Sequence, residues 1–238
     1  MDGHSDMMPG LAPTAQRPLL GLTVLVVEDS RFASEALRLM CLRSGARIRR
    51  ADSVENARRH LGVYRPSVFI ADVGLPDGSG RALIETLHAA SPRIDVILGM
   101  SGDPETQADV MAAGANGFLE KPIESLAAFQ SAILTHLPRD RQPPSPRNIH
   151  DEKISSDMIG YQDDLSYIAQ VMQGDGTAGT LDYVTQFLGG VARSAQDHDL
   201  DRAVSEVTQL RLSGRNHDAG LAALSKLVQV RIAAGGPL

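Results

Sequence analysis

A chain of 238 residues, 42% hydrophobic and 22% charged, has room for one large or two modest domains and enough apolar material to bury a core. Its 23 Lys+Arg against 29 Asp+Glu give a net charge of −6, which disfavours holding nucleic acid through the overall field, and the absence of Trp with only 4% aromatics disfavours stacking platforms for sugars or bases. The single cysteine, Cys41, excludes an internal disulfide or a zinc site of cysteine pairs, and no apolar run approaches the roughly 18–20 residues that span a bilayer, so a cytoplasmic protein without membrane contact is expected.

Residues 1–21 mix Gly, Pro and polar residues without periodicity and read as a flexible leader lacking the basic start and apolar centre of a secretion signal. From residue 22 to 137, short apolar runs alternate with helical patterns. TVLVV precedes a helix through Phe32, Ala36, Leu39 and Met40; a weaker strand near Arg47–Ala51 precedes a helix at Ser53–Leu61; SVFIA precedes one through Leu83, Ile84 and Leu87; DVILGM precedes one through Val110 and Met111; and GFL precedes one through Leu126, Phe129 and Ile133. Runs that are apolar along their whole length, rather than alternating, are what a parallel sheet covered on both faces requires. Five β/α units of an α/β, doubly wound domain follow.

Residues 138–150 form a linker, semi-rigid because four prolines fall in PRDRQPPSPR. Residues 151–238 read as helix only. Apolar stripes at Leu165/Ile168/Ala169/Met172, Leu181/Val184/Leu188/Val191, Leu200/Ala203/Val204/Val207/Leu210 and Leu221/Leu224/Val228/Ile232 advance in steps of three and four, so each helix has one face to bury. Short connections between them predict an antiparallel four-helix bundle. From Asn148 onward 7 Lys+Arg face 12 Asp+Glu, too acidic for a recognition helix that must meet phosphate.

Functional side chains of an open parallel sheet collect at the carboxyl ends of its strands. Here the first strand runs into Glu28 and Asp29, the third into Asp72, the fourth into Ser101 and the fifth into Lys121. Three carboxylates in one crevice repel one another and call for a cation; hard oxygen ligands with space for water and a phosphoryl group suit Mg²⁺. Taken singly these signals are ordinary: Asp29 could cap a helix, and Asp72 could open a turn. Their joint occurrence at successive strand ends is not.

VLVVEDS, IADVGLPDGSG, the Ser101–Gly102 step and GFLEKP, in this order and at these intervals, resemble the receiver domain of two-component response regulators over about residues 22–137. The resemblance implies a flavodoxin-like sheet of order 2-1-3-4-5. It implies that Asp72 is the phosphoacceptor, with Lys121 neutralising phosphoryl charge and Ser101 donating a hydrogen bond. Mg²⁺ would be held by Glu28, Asp29, Asp72 and the carbonyl of Gly74, and Ser101 and Phe118 would form the switch. Pro122 would follow a cis bond. The phosphodonor would be a histidine kinase or a histidine phosphotransfer protein, and the chain would assist its own Mg²⁺-dependent phosphorylation and dephosphorylation without being an enzyme on other substrates.

More weakly, residues 180–224 resemble a histidine phosphotransfer domain in the order of their helices. Aligned so, Thr208 falls at the histidine position, Leu210 and Arg211 match, and Leu212 replaces a glycine. That bundle would carry no phosphotransfer chemistry and would bind another signalling protein or a second copy of the chain, as a homodimer. The expected function is a phosphorylation-dependent protein–protein interaction switch; the alternative is a transcriptional regulator with an atypical helical DNA-binding domain.

Overall fold

The computed structural model describes residues 12–144, 152–154, 157–173 and 178–237. Five parallel strands, β1 (Thr23–Val27), β2 (Arg47–Ala51), β3 (Val68–Asp72), β4 (Val96–Ser101) and β5 (Gly117–Glu120), form one sheet of order β2-β1-β3-β4-β5. Helices α1 (Arg31–Ser44), α2 (Val54–Val63), α3 (Gly80–Ala89), α4 (Gln107–Ala112) and α5 (Leu126–Leu134) return the chain between strands and follow the last one. The expected doubly wound fold and its strand order are therefore present.

Successive strand residues point to opposite faces, so wholly apolar strands feed two cores. Val24, Val26, Ile70, Leu98 and Met100 pack on one side with Met40, Cys41, Phe129 and Ile133 from α1 and α5. Leu25, Val27, Phe69, Ala71 and Ile97 pack on the other with Ala57, Ile84 and Val110 from α2, α3 and α4. Strand β2 is an edge, and its Arg47, Arg49 and Arg50 blunt it against pairing with another chain. Cys41 is fully buried, and desolvation raises its thiol to about 12, which keeps it inert.

The ends of the domain differ from the sequence reading. Leu19, inside the expected flexible leader, is fully buried in the first core, and its amide donates to the Ser44 carbonyl at 2.9 Å; residues 1–11 lie outside the described residues. The start of the expected linker is also tied down, by Arg141 to Asp95 at 2.6 Å and by Gln142 Nε2 to the carbonyls of Leu134 and Leu137; residues 145–150 lie outside the described residues. Residues 152–154, expected to open the bundle, instead bridge to the segment before α5: the Ile154 amide donates to the Glu124 carbonyl, and Ile154 is buried in the receiver-like core.

Beyond them α6 (Met158–Met172), α7 (Ala178–Ser194), α8 (His198–Leu212) and α9 (Asp218–Ala234) pack in a ring of neighbours around Leu165, Ile168, Val184, Leu188, Val204, Val207, Leu224 and Val228. These are members of the four predicted stripes. Not predicted is a buried polar network at one end. Asp197 caps α8 at the Leu200 amide, accepts Tyr161 Oη at 2.7 Å, and accepts Arg231 Nε and an Arg231 terminal nitrogen at 2.7 and 3.1 Å. Burial opposes ionisation of Asp197, yet the bonds from Arg231 and Tyr161 hold its carboxyl below the usual carboxylate range. Arg231→Lys keeps the charge but loses the planar two-pronged contact, so urea unfolding should show a loss of about 2 kcal/mol; an unchanged midpoint would show the fork to be unnecessary.

Candidate functional site

The carboxyl ends of β1, β3, β4 and β5 converge as the sequence requires. Side-chain oxygens of Glu28, Asp29 and Asp72 lie within 4.8 Å of one another. Lys121 Nζ reaches in from the end of β5, 2.6 Å from Glu28 Oε2 and 3.1 Å from Asp72 Oδ1. Ser101, at the end of β4, is buried beside them and its Oγ accepts the Asp103 amide at 3.1 Å. The Lys121–Pro122 bond is cis.

Gly74 stands in the loop after β3, in a two-residue antiparallel ribbon with Ser79. Asp77 in that loop reaches across to cap α2 at the Val54 and Glu55 amides, 2.7 and 2.9 Å, which fixes the loop beside the carboxylates. Gly80 closes it: a Cβ there would collide with the Asp72 carbonyl. Phe118 is half-buried against the core on the α3–α4 side.

Electrostatically the three acids are held against their preference. Burial first, then the neighbouring Asp72 carboxylate, raise Asp29 to about 7, and burial raises Glu28 and Asp72 as well, against the pull of Lys121. Lys121 is itself desolvated, but Asp72 and Glu28 hold its ammonium charged and above the ordinary lysine range. A cluster of hard oxygens carrying more negative charge than one lysine can offset suits a divalent cation, and these donors fit Mg²⁺.

Sequence reasoning missed that the bundle sits directly on this site. Tyr183 of α7 donates from its phenol to Asp29 Oδ2 at 3.0 Å. Asp164 of α6, 2% exposed, accepts the Ser30 hydroxyl at 2.8 Å and the Arg31 and Phe32 amides at 2.8 and 3.1 Å. First-turn amides find no partner within their own helix, and Asp164 satisfies these two at the positive end of the α1 dipole. Phe32, expected in the α/β core, is buried instead in the bundle core, edge-on to Tyr161 with centroids 6.2 Å apart. Gln186 of α7 lies against Gly74, where a Cβ would collide with its amide. Thr208, the position aligned with a phosphotransfer histidine, is on α8 and lines the same cavity as Asp72, Ser101 and Lys121; its Oγ1 donates to the Val204 carbonyl at 2.9 Å. Leu212 is exposed.

Residues 24–133 match the response regulator receiver domain. This part of the chain is a response regulator receiver domain. The chain is 28% identical over 116 residues, 48% of its length, to the virulence transcriptional regulatory protein PhoP of Salmonella typhimurium, of which that stretch covers 52%, so it spans about half the length of the curated relatives it matches. Among solved structures it is similar to a putative response regulator from Chloroflexus aurantiacus, at 31% identity and a TM-score of 0.45 over 48% of this chain and 98% of the other. It is also similar to the receiver domain of the Pseudomonas aeruginosa sensor histidine kinase PA1611, a structure with magnesium in its active-site cleft, at 22% identity and a TM-score of 0.44 over 49% and 97%. Among the described residues no helix is long and apolar enough to cross a membrane.

Proposed function

We propose that the chain is a response regulator whose Asp72 accepts a phosphoryl group, with Mg²⁺ on Glu28, Asp29, Asp72 and the Gly74 carbonyl, from a histidine kinase or phosphotransfer protein, and that the helical bundle reads out the change. The metal would supply charge neutralisation for the transferring group. For its part, the chain holds the Asp72 carboxylate beside the Lys121 ammonium, keeps the Ser101 hydroxyl at the same strand edge, and shields the crevice from bulk water. Phosphoryl transfer asks mainly for such positioning and neutralisation. The new bond joins phosphorus to an Asp72 oxygen while the donor's bond to phosphorus breaks; the chain chemically modifies itself and acts on no other substrate.

The single observation that carries this reading is the carboxylate trio with Lys121 between Glu28 and Asp72. The output reading rests on Tyr183, which places the bundle on Asp29, a carboxylate the metal would also use. Any rearrangement at Asp29 is thereby felt by α7, which makes phosphorylation a switch in the bundle's seat and hence in the surface it offers to another protein or a second copy. The 12 acidic against 7 basic residues from Asn148 onward favour a protein over DNA as the thing the bundle binds.

A small phosphodonor with Mg²⁺ should add one phosphoryl group to the full chain, read by intact-protein mass spectrometry, and Asp72→Asn should abolish it because an amide is no nucleophile at neutral pH. Equal labelling of Asp72→Asn would reject the acceptor. Retention of duplex DNA at physiological salt by the phosphorylated chain would replace the protein-binding output with a transcriptional one.

A further inference from the structure

We propose that Arg193, a bundle residue, is a ligand to the phosphoryl group on Asp72, so that the bundle completes the phosphoryl site and is held more tightly once the group arrives. This inference rests on Asp72 being the acceptor and deepens that reading.

Between the strand ends and the bundle lies a cavity of about 680 Å³, walled by Asp72, Ser101 and Lys121 on one side and by Gln186, Arg193 and Thr208 on the other. Arg193 crosses from α7 to the backbone that follows Ser101. Its Nε stands 2.5 Å from where a Cβ on Gly102 would be, and a terminal nitrogen stands 3.2 Å from where one on Gly189 would be. Two glycines, one in each domain, thus make room for a single guanidinium.

That guanidinium is only partly used. One terminal nitrogen donates to Asp201 Oδ1 at 2.9 Å, whereas Nε is buried and meets no acceptor among the described residues. An orphaned buried donor costs free energy, and a site that carries one is incomplete without an acceptor. Lys121 is already engaged by Glu28 and Asp72, and Arg211, the other bundle arginine on the cavity, pairs with Asp182. A phosphoryl group on Asp72 would bring roughly −1.5 to −2 charges and three acceptor oxygens into this space. A planar guanidinium with a free N–H is the side chain best shaped to take them.

Two contacts then govern the bundle in opposite senses. Tyr183 holds Asp29 before phosphorylation, and Arg193 holds the phosphoryl group after it. The bundle shifts from a seat on the metal-binding carboxylate to one on the phosphoryl group rather than leaving the receiver.

Beryllofluoride with Mg²⁺, a non-covalent stand-in for the phosphoryl group, tests this on the full chain by titration calorimetry, with hydrogen exchange across residues 186–193 as a second readout. Arg193→Gln should bind it about tenfold more weakly than the unmodified chain and lose the protection of 186–193 that beryllofluoride confers, and Arg193→Lys should fall between. Arg193→Gln also breaks the ion pair with Asp201, so Asp201→Asn supplies the control: it breaks the same pair but frees the guanidinium, and should bind as tightly as the unmodified chain or more so. Unchanged binding by Arg193→Gln, or equal losses in Arg193→Gln and Asp201→Asn, would overturn the assignment while leaving Asp72 as acceptor. Failure of the unmodified chain itself to bind beryllofluoride would overturn both the acceptor and the Arg193 assignment.

Discussion

In an Asp164→Ala chain the first-turn amides of α1, Arg31 and Phe32, should exchange with solvent about 100-fold faster, and the bundle should lift from the receiver. The expectation follows from what one carboxylate does there. It takes three hydrogen bonds, from the Ser30 hydroxyl and the two amides, at 2.8 to 3.1 Å in a buried position. A hydrogen bond to a charged group contributes about 1.5–3 kcal/mol, and three sharing one acceptor are far from additive, so about 3 kcal/mol for the seam is reasonable. Each 1.4 kcal/mol is a factor of ten in an equilibrium, which sets the 100-fold figure. Ser30 keeps its own cap on the Ala33 amide at 3.0 Å, so α1 itself should persist. With the bundle lifted, Tyr183 and Gln186 no longer stand over Asp29 and Gly74, and a small phosphodonor should label Asp72 faster than in the unmodified chain. Hydrogen exchange and labelling rates both unmoved would mean that Asp164 does not hold the two domains together.

The receiver was legible because its information is local. Apart from the arginine-rich β2, apolar strands of four to six residues that run into Glu, Asp, Ser or Lys encode both the parallel sheet and the crevice, and Glu28, Asp29, Asp72, Ser101 and Lys121 meet where the strand ends put them. The four helices were legible for the same reason: stripes such as Leu200/Val204/Val207 repeat at the helical period, and those residues are buried. What the chain did not disclose is the seam. Asp164 follows Asp163 on a helix and reads as solvated, Tyr183 reads as one more amphipathic contact, and Phe32 fits the apolar stripe of α1 whichever core receives it. Leu19 was hidden because a lone leucine pair after Pro18 has no period, although it is buried in the same core as Cys41 and Met40. Asp197 and Arg231 are 34 residues apart, and nothing in either helix marks them as partners. Long-range polar pairs leave no periodic trace, so they emerge only when the fold brings them together.

Asp29→Asn should make the metal-free protein more stable at alkaline pH while removing Mg²⁺-dependent phosphorylation. In the unfolded chain the three acids ionise near 4; in the folded chain burial raises all three, and repulsion from neighbouring carboxylates adds to it at Glu28 and Asp29, taking Asp29 to about 7 and Glu28 to about 8. A carboxylate whose folded value is raised favours the folded state fully only below its unfolded value, and that contribution is lost as pH rises through the folded one. Metal-free unmodified protein should therefore melt lower at pH 8.5 than at pH 5.5, by an amount that Mg²⁺ restores. Asn carries no charge at either pH but still offers its amide oxygen to Tyr183, so the seam keeps its contact while the repulsion is relieved. Allowing for solvent screening, the variant should gain about 2 kcal/mol at pH 8.5, or about 4–8 °C in Tm for a chain of this size, and its Tm should depend less on pH. Its labelling by a small phosphodonor should fall at least about 100-fold, since the loss of a charged oxygen ligand leaves the site poorly matched to Mg²⁺. A variant that melts like the unmodified protein at pH 8.5 without metal would show that the trio is not under electrostatic strain, and one still phosphorylated with the usual Mg²⁺ dependence would remove Asp29 from the metal site.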